Sequence, residues 1–125
     1  MAADFAAVAA ALKPVLAKHA GRLVVKTDTP TEYTLVTKSP SPFPQHKGHP
    51  MYFGSVRQGK AYVSFHLMPI YMCPPLMQSI SPALKKRMQG KTCFNFKAGP
   101  EPELLAELRQ LTAACVKRWA DQKWL

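Results

Sequence analysis

The histidines of this chain are the first side chains whose type and spacing could do chemistry. His46 and His49 form an HxxH pair in a proline-rich stretch, and His66 and Cys73 follow it. Two imidazoles can begin a zinc or iron site, because histidine is a common nitrogen ligand. A structural site needs four ligands, and neither a CxxC pair nor an HxxxH pair accompanies them. Solvated loop histidines explain the pattern better, so we expect no metal and no cofactor.

The three cysteines are Cys73, Cys93 and Cys115. Their odd number and wide spacing predict reduced thiols rather than a disulfide framework. Cys73 is the only one with a histidine close in sequence, and Cys115 falls on the apolar face of a predicted helix. A nucleophilic cysteine needs a base and a setting that stabilises the thiolate. The sequence therefore disfavours catalysis by these thiols.

The carboxylates are absent from the middle of the chain. The 68 residues from Tyr33 to Pro100 contain no Asp or Glu, although the whole protein carries a formal net charge of +10. The nine basic residues of this window are Lys38, Lys47, Arg57, Lys60, Lys85, Lys86, Arg87, Lys91 and Lys97. We expect the central sheet to supply no carboxylate as acid, base or metal ligand. Neither a glycine-rich phosphate loop nor a GxSxG motif is present, so the inventory argues against an enzyme.

Binding is the chemistry that remains, because a positive surface attracts anions. The candidate ligand-binding residues are Tyr62, His66, Tyr71, Arg57, Lys60 and Lys91. They predict an anionic small molecule or a protein partner, held at an aromatic and Met-rich strand end with a basic rim. A homodimer through the apolar turn after Leu67 is an equally physical use of that surface.

Two alternatives stay open. One is a metal-handling protein that uses His46, His49 and His66. The other is nucleic-acid or polyanion binding, because aromatic residues are interleaved with the cations and tyrosines can stack on bases. No recognition-helix or ribonucleoprotein motif favours it.

The elements that must position these residues are predicted by apolar periodicity and by turn residues. The predictions are helices over 4–20, 81–89 and 101–119, and strands over 22–27, 31–38, 51–56, 60–67 and 92–97. A proline-rich loop over 39–50 and a chain reversal over 68–75 separate them. Ser81 followed by Pro82 is a typical helix start. The order α-β-β-β-β-α-β-α predicts an α+β fold, an antiparallel sheet of about five strands packed by N-terminal and C-terminal helices.

The strand over 60–67 has two different faces. Its apolar residues, from Ala61 to Leu67, alternate with Tyr62, Ser64 and His66. The apolar face should pack against helices, and the other face should be partly open. If a helix covers the second face, the predicted site disappears.

The length of 125 residues fits one domain that can bury a core. No apolar run reaches the ~20 residues that a membrane helix needs. Asp4 lies where a signal peptide would carry positive charge. We therefore expect a cytoplasmic protein with no membrane partner.

Three sequence words resemble a known family. These three motifs are Tyr52-Phe-Gly54, Tyr62-Val-Ser-Phe-His-Leu-Met-Pro-Ile-Tyr71 and Gly90-Lys-Thr-Cys-Phe-Asn-Phe96. The chain is similar to the YdhG-like domains of unknown function, which suggests a single such domain over 1–125. The resemblance implies a small α+β fold and little about activity, although some members are described as frataxin-like iron chaperones.

Overall fold

The computed structural model describes residues 5–40, 44–89, 93–97 and 101–124. Its helices are α1 (Phe5–Ala17), α2 (Met68–Met72), α3 (Pro74–Gln78), α4 (Pro82–Lys85) and α5 (Pro102–Asp121). Its strands are β1 (Val24–Thr29), β2 (Glu32–Pro40), β3 (Pro50–Gln58), β4 (Val63–Leu67), β5 (Met88–Gln89) and β6 (Cys93–Phe96). Short 3-10 helices lie at Ala20–Arg22 and Pro44–His46. The predicted α+β fold is confirmed.

The strands form one antiparallel sheet in the order β1-β2-β3-β4-β6-β5. The first four are neighbours in sequence as well as in space, which is typical of strands joined by short turns. The two-residue strand β5 pairs with β6 at one edge of the sheet, and β1 forms the other edge.

The helices pack on one side of the sheet, which we call the core face. Buried residues from α1, α4 and α5 join the phenylalanines of the strands in a single apolar cluster. The Trp119 ring of α5 meets the Phe53 ring edge to face, with centroids 5.5 Å apart. Each fully buried phenylalanine contributes about 1.5–3 kcal/mol, so this cluster is the main source of stability.

Two β-bulges change which side chains face the core. Between Leu35 and Val36 of β2, the partner residues shift from Gly54 to Tyr52, which makes Phe53 the extra residue of β3. Phe53 is therefore buried in the core together with Gly54, and Tyr52 lies on the opposite side of the sheet. A bulge of this kind reverses the simple alternation of a strand beyond it.

The second bulge is in β1, where Val25 pairs with Leu35 of β2 and Thr27 pairs with Thr34. Lys26 is thus the extra residue, and it lies beside Thr27 on the side away from the helices.

The short helix α4 begins as predicted. The hydroxyl of Ser81 accepts the Leu84 N–H at 3.2 Å, and Pro82 is the first helical residue. Glu107 of α5 accepts the Ser81 N–H at 2.8 Å, so α4 is also held to the long C-terminal helix. The prediction that this helix continues to Gln89 is wrong, because Met88–Gln89 pair with β6 instead.

The predicted chain reversal over 68–75 contains two helices, α2 and α3. Ile70 is buried in α2, so part of the Met-Pro-Ile-Tyr-Met segment packs in the core. Among the described helices, none is long and apolar enough to cross a bilayer.

Candidate functional site

A polar pocket of about 260 Å³ lies on the sheet surface opposite the core face. Its lining residues are Lys26, Thr27, Glu32, Thr34, Tyr52, Ser55, Arg57 and His66. All eight belong to β1, β2, β3 or β4. The sequence left open whether a helix covers the His66 side of β4. This side is half-exposed and borders the polar pocket.

The register of the sheet explains why these residues meet. Thr34 pairs with Ser55, and Ser55 pairs with His66, so the three stand in one row across β2, β3 and β4. A parallel row contains Glu32 opposite Arg57. Residues in register on neighbouring antiparallel strands project from the same face, so the pocket follows from strand pairing alone.

Hydroxyl groups form the floor of the polar pocket. Thr34 and Ser55 are only 4% and 7% exposed, although they lie on the side away from the helices. The Thr34 hydroxyl donates to the Glu32 carboxylate at 2.8 Å, and the Tyr52 and Ser55 hydroxyls bond to each other. The longer side chains around them therefore stand as walls over a hydrogen-bonding base.

His66 closes one wall of the polar pocket. Its ring meets the Tyr52 ring edge to face, with centroids 6.4 Å apart. Burial, with a smaller effect from the nearby positive charge of Arg57, lowers the pKa of His66 below its ordinary value. The neutral imidazole is therefore favoured near pH 7, and it offers one donor and one acceptor nitrogen.

Tyr52 and Cys93 stay protonated in this setting. Burial is the main cause that raises the pKa of the Tyr52 phenol, and it also raises the pKa of the Cys93 thiol. Cys93 pairs with His66 across β4 and β6, and its thiol donates to the Asn95 side-chain oxygen at 3.1 Å. A thiol whose pKa is raised is a poor nucleophile, which disfavours catalysis by a Cys–His pair at this position.

The expectation that the sheet supplies no carboxylate is wrong. Glu32 is the first residue of β2 and lies one position before the acid-free window, yet its carboxylate lines the polar pocket. Asp28 also belongs to a strand, β1, where it pairs with Lys13 of α1 at 2.9 Å. The window was drawn by sequence position, whereas the antiparallel turn after β1 places Glu32 opposite Arg57 at the edge of this pocket.

The structure separates the residues predicted to form one site. Arg57 and His66 both line the polar pocket. Tyr62 lines a different cavity, and Tyr71 is 59% exposed on α2. Lys60 is exposed in the turn between β3 and β4.

The remaining member of that predicted set, Lys91, lies outside the described residues.

The predicted ligand-binding set lacked six of the lining residues, which are Lys26, Thr27, Glu32, Thr34, Tyr52 and Ser55. Of these, the sequence singled out only Tyr52, as one of the tyrosines interleaved with the cations that could stack on bases. Alternation in β3 could have indicated that Ser55 and Arg57 share a face with each other. Simple alternation does not place Tyr52 or Lys26 on the pocket side, because the bulges at Phe53 and Lys26 change which side these residues face.

The alternative metal site receives no geometric support from the described part of the chain. No group of three or more His, Cys, Asp or Glu side chains within those ranges is arranged to hold a metal ion. His49 is exposed just before β3, and the side chain of His46 lies outside the described residues.

Comparison with protein-family models, curated proteins and solved structures gives no match for this chain. The resemblance to YdhG-like domains therefore stays a prediction from three sequence motifs. The function of the site has to be inferred from its own geometry.

Proposed function

We propose that this protein is a binding module whose polar pocket holds a small organic anion that also carries a hydrogen-bond donor. The observation that supports this proposal is the placement of Lys26 and Arg57 around a floor of hydroxyl groups. The volume of about 260 Å³ lies just below the ~300–1,000 Å³ of pockets for drug-sized ligands. A ligand of a few carbon atoms fits this space best.

The charges of the polar pocket favour an anionic ligand. Lys26 and Arg57 contribute two positive charges, Glu32 contributes one negative charge, and His66 is mainly neutral near pH 7. Within the described residues, the ion pairs closer than 4 Å are Lys13–Asp28 and Arg87–Glu101, so Arg57 is not paired to Glu32. An arginine can take a ligand carboxylate through two parallel hydrogen bonds.

Glu32 adds selectivity rather than attraction. Its carboxylate repels an anion but accepts hydrogen bonds, and Thr34 already donates one to it. A ligand with a hydroxyl or amino group beside its carboxylate can donate to Glu32 while the carboxylate contacts Arg57. A site that accepts a hydrogen bond from its ligand discriminates against an analogue that lacks the donor.

The first experiment compares L-malate with succinate, which lacks the hydroxyl group, by isothermal titration calorimetry. We expect malate to bind more tightly, and Arg57→Gln to weaken malate binding by roughly tenfold or more, because a hydrogen bond to a charged group contributes ~1.5–3 kcal/mol. Arg109→Gln removes another exposed arginine, on α5 and outside the polar pocket, and should leave the affinity unchanged.

Glu32→Gln tests the selectivity directly. It should strengthen succinate binding, because the repulsion is gone, and shrink the preference for malate. Equal losses in Arg57→Gln and Arg109→Gln would show that malate responds only to net charge. A wild-type protein that binds neither acid, at concentrations where backbone amide signals of β2 to β4 can be followed by NMR, would contradict the proposal.

A further inference from the structure

A second cavity of about 560 Å³ lies at the opposite end of the sheet from β1. Its lining residues are Ala61, Tyr62, Lys86, Arg87, Met88, Asn95 and Lys97. We call it the basic pocket, because three of these residues are cationic and none is a carboxylate. It shares no residue with the polar pocket.

Backbone hydrogen bonds bring the walls of the basic pocket together. The Gly59 N–H donates to the Tyr62 carbonyl at 2.9 Å and closes the turn before β4. Val63, the next residue, pairs with Phe96, which brings Tyr62 near Lys97.

On the other side of β6, the Asn95 N–H donates to the Arg87 carbonyl at 2.7 Å. This bond holds the segment after α4 along the strand, so Lys86 and Arg87 reach the same cavity.

The cations of the basic pocket differ in how firmly they are held. The Arg87 guanidinium lies 5.8 Å from the centre of the Phe96 ring and 3.4 Å from the Glu101 carboxylate. Lys86 and Lys97 are exposed, and neither belongs to an ion pair among the described residues. One anchored cation and two exposed ones surround a space that a negative group can enter.

The neighbouring cavity limits how an anion can lie. Lys86 and Arg87 also line a space of about 510 Å³, whose other lining residues include Glu101 and Glu103 of α5. These carboxylates repel an anion that extends past Arg87. A negative ligand is therefore confined to the side that contains Tyr62 and Lys97.

Tyr62 gives the basic pocket a half-exposed aromatic side chain next to its cations. Aromatic rings bind nucleobases by stacking, and lysine and arginine bind the phosphates that accompany them. The volume lies within the ~300–1,000 Å³ of pockets for ligands of this size. We infer that the basic pocket binds a nucleotide unit, with the phosphate at Lys86, Arg87 and Lys97 and the base on Tyr62.

The unit can belong to a free nucleotide or to single-stranded RNA, because both present the same phosphate and base. Two probes distinguish them: AMP, followed by isothermal titration calorimetry, and a fluorescein-labelled oligouridylate, followed by anisotropy. Binding of AMP assigns the pocket to a free nucleotide. Binding of the oligonucleotide with no binding of AMP assigns it to a strand.

Charge-matched variants separate the pocket from general attraction by a basic protein. The double variant Lys86→Gln and Lys97→Gln removes two cations from the basic pocket. The double variant Lys18→Gln and Lys117→Gln removes two exposed cations that do not line it. We expect the first to weaken binding at least tenfold and the second to change it less than twofold.

Salt dependence gives a second measure for the oligonucleotide. The slope of log K against log salt should lose about 1.4 in the pocket variant, because each phosphate contact with a single strand contributes about 0.7. Tyr62→Leu should weaken the binding of both probes, whereas Tyr62→Phe should retain it because the aromatic ring is kept.

Any of the following results would overturn the inference. The first is that neither probe binds the wild-type protein. The second is that both double variants weaken binding equally. The third is that Tyr62→Leu binds as well as wild type, or that inorganic phosphate competes as well as AMP. None of these outcomes depends on malate binding in the polar pocket, which uses different residues.

Discussion

His66 is the residue whose chemistry depends most on its surroundings. It stands on β4 between Ser55 of β3 and Cys93 of β6, next to the Tyr52 ring, in a pocket that Arg57 also lines. Burial and the Arg57 charge both disfavour the imidazolium, which is why its pKa is lowered. The histidine is therefore a neutral hydrogen-bonding group at pH 7 and a cation only in more acidic solution.

The lowered pKa predicts a loss of stability in acid. In the unfolded chain His66 takes up a proton near its ordinary pKa of about 6.5, and in the folded protein it does so only at lower pH. The free energy of unfolding should therefore fall as the pH drops below about 6.5 and level off below the folded pKa. Urea unfolding at a series of pH values checks this, together with the His66 ring signals in NMR.

His66→Gln should make that pH dependence shallower. His19 acts in the same direction, because burial and then the charges of Lys18 and Arg22 lower its pKa, so His19→Gln serves as the comparison. The two variants together should remove more of the slope than either alone. An NMR titration that places the His66 pKa above 6.5 would contradict the assignment.

At the scale of elements, the close approach of β3 and β4 depends on Gly54. A Cβ atom at this position would lie 2.6 Å from the backbone carbonyl oxygen of His66 and 3.5 Å from a methyl group of Leu16. Backbone cannot move aside as a flexible side chain can. The approach to Leu16 is an ordinary contact, so it is the spacing of β3 and β4 at His66 that requires glycine here.

Gly54→Ala should therefore destabilise the protein by about 1–3 kcal/mol, as overpacked cores do. Gly21→Ala is the matched control, because no atom lies within 4 Å of the added Cβ. We expect it to change stability by less than ~1 kcal/mol. Chemical denaturation of the three proteins provides the measurement, and equal stabilities would show that the strands can separate without loss.

The sequence predicted elements better than it predicted the site. The start of α4 was readable because Ser81 and Pro82 act locally, through one capping bond and one fixed dihedral angle. The sequence did not show which residues of β1 and β3 face each side of the sheet, because a bulge depends on the partner strand as well as on the bulged strand. Alternation along these strands therefore did not predict that Lys26 and Tyr52 line the polar pocket.

Long-range pairing was the other missing information. The local pattern over 81–89 favoured one helix, but Met88–Gln89 gain hydrogen bonds by joining β6. The Arg87 carbonyl accepts one of these strand bonds, and the basic pocket exists only because the segment leaves the helix after α4. Because the predicted helix over 81–89 included Lys86 and Arg87, the local pattern did not indicate this pocket.

At the scale of the whole molecule, the formal charge of +10 acts as self-repulsion. The two ion pairs of the described residues, Lys13–Asp28 and Arg87–Glu101, are both partly or fully exposed and offset little of it. Surface charges that repel one another destabilise the compact state, and salt screens them.

We therefore expect the melting temperature to rise between about 0.01 M and 0.15 M NaCl, where the Debye length shortens from roughly 30 Å to 8 Å. Circular dichroism measures the change. The double variant Lys18→Gln and Lys117→Gln lowers the formal charge by two and should show a smaller rise. A melting temperature that falls with NaCl would mean that attractive pairs dominate the surface.

The bulge at Lys26 also has a consequence for the behaviour of the protein in concentrated solution. β1 is an edge strand, and Val24 and Val25 on it are each 42% exposed, so a regular strand here would offer a flat apolar edge to another chain. Such edges promote aggregation, and a bulge or a lysine on the edge opposes it. Lys26 supplies both, which links the polar pocket to colloidal stability. A chain lacking Lys26 would lose a cation from the lining of the polar pocket and gain a regular edge strand that favours aggregation.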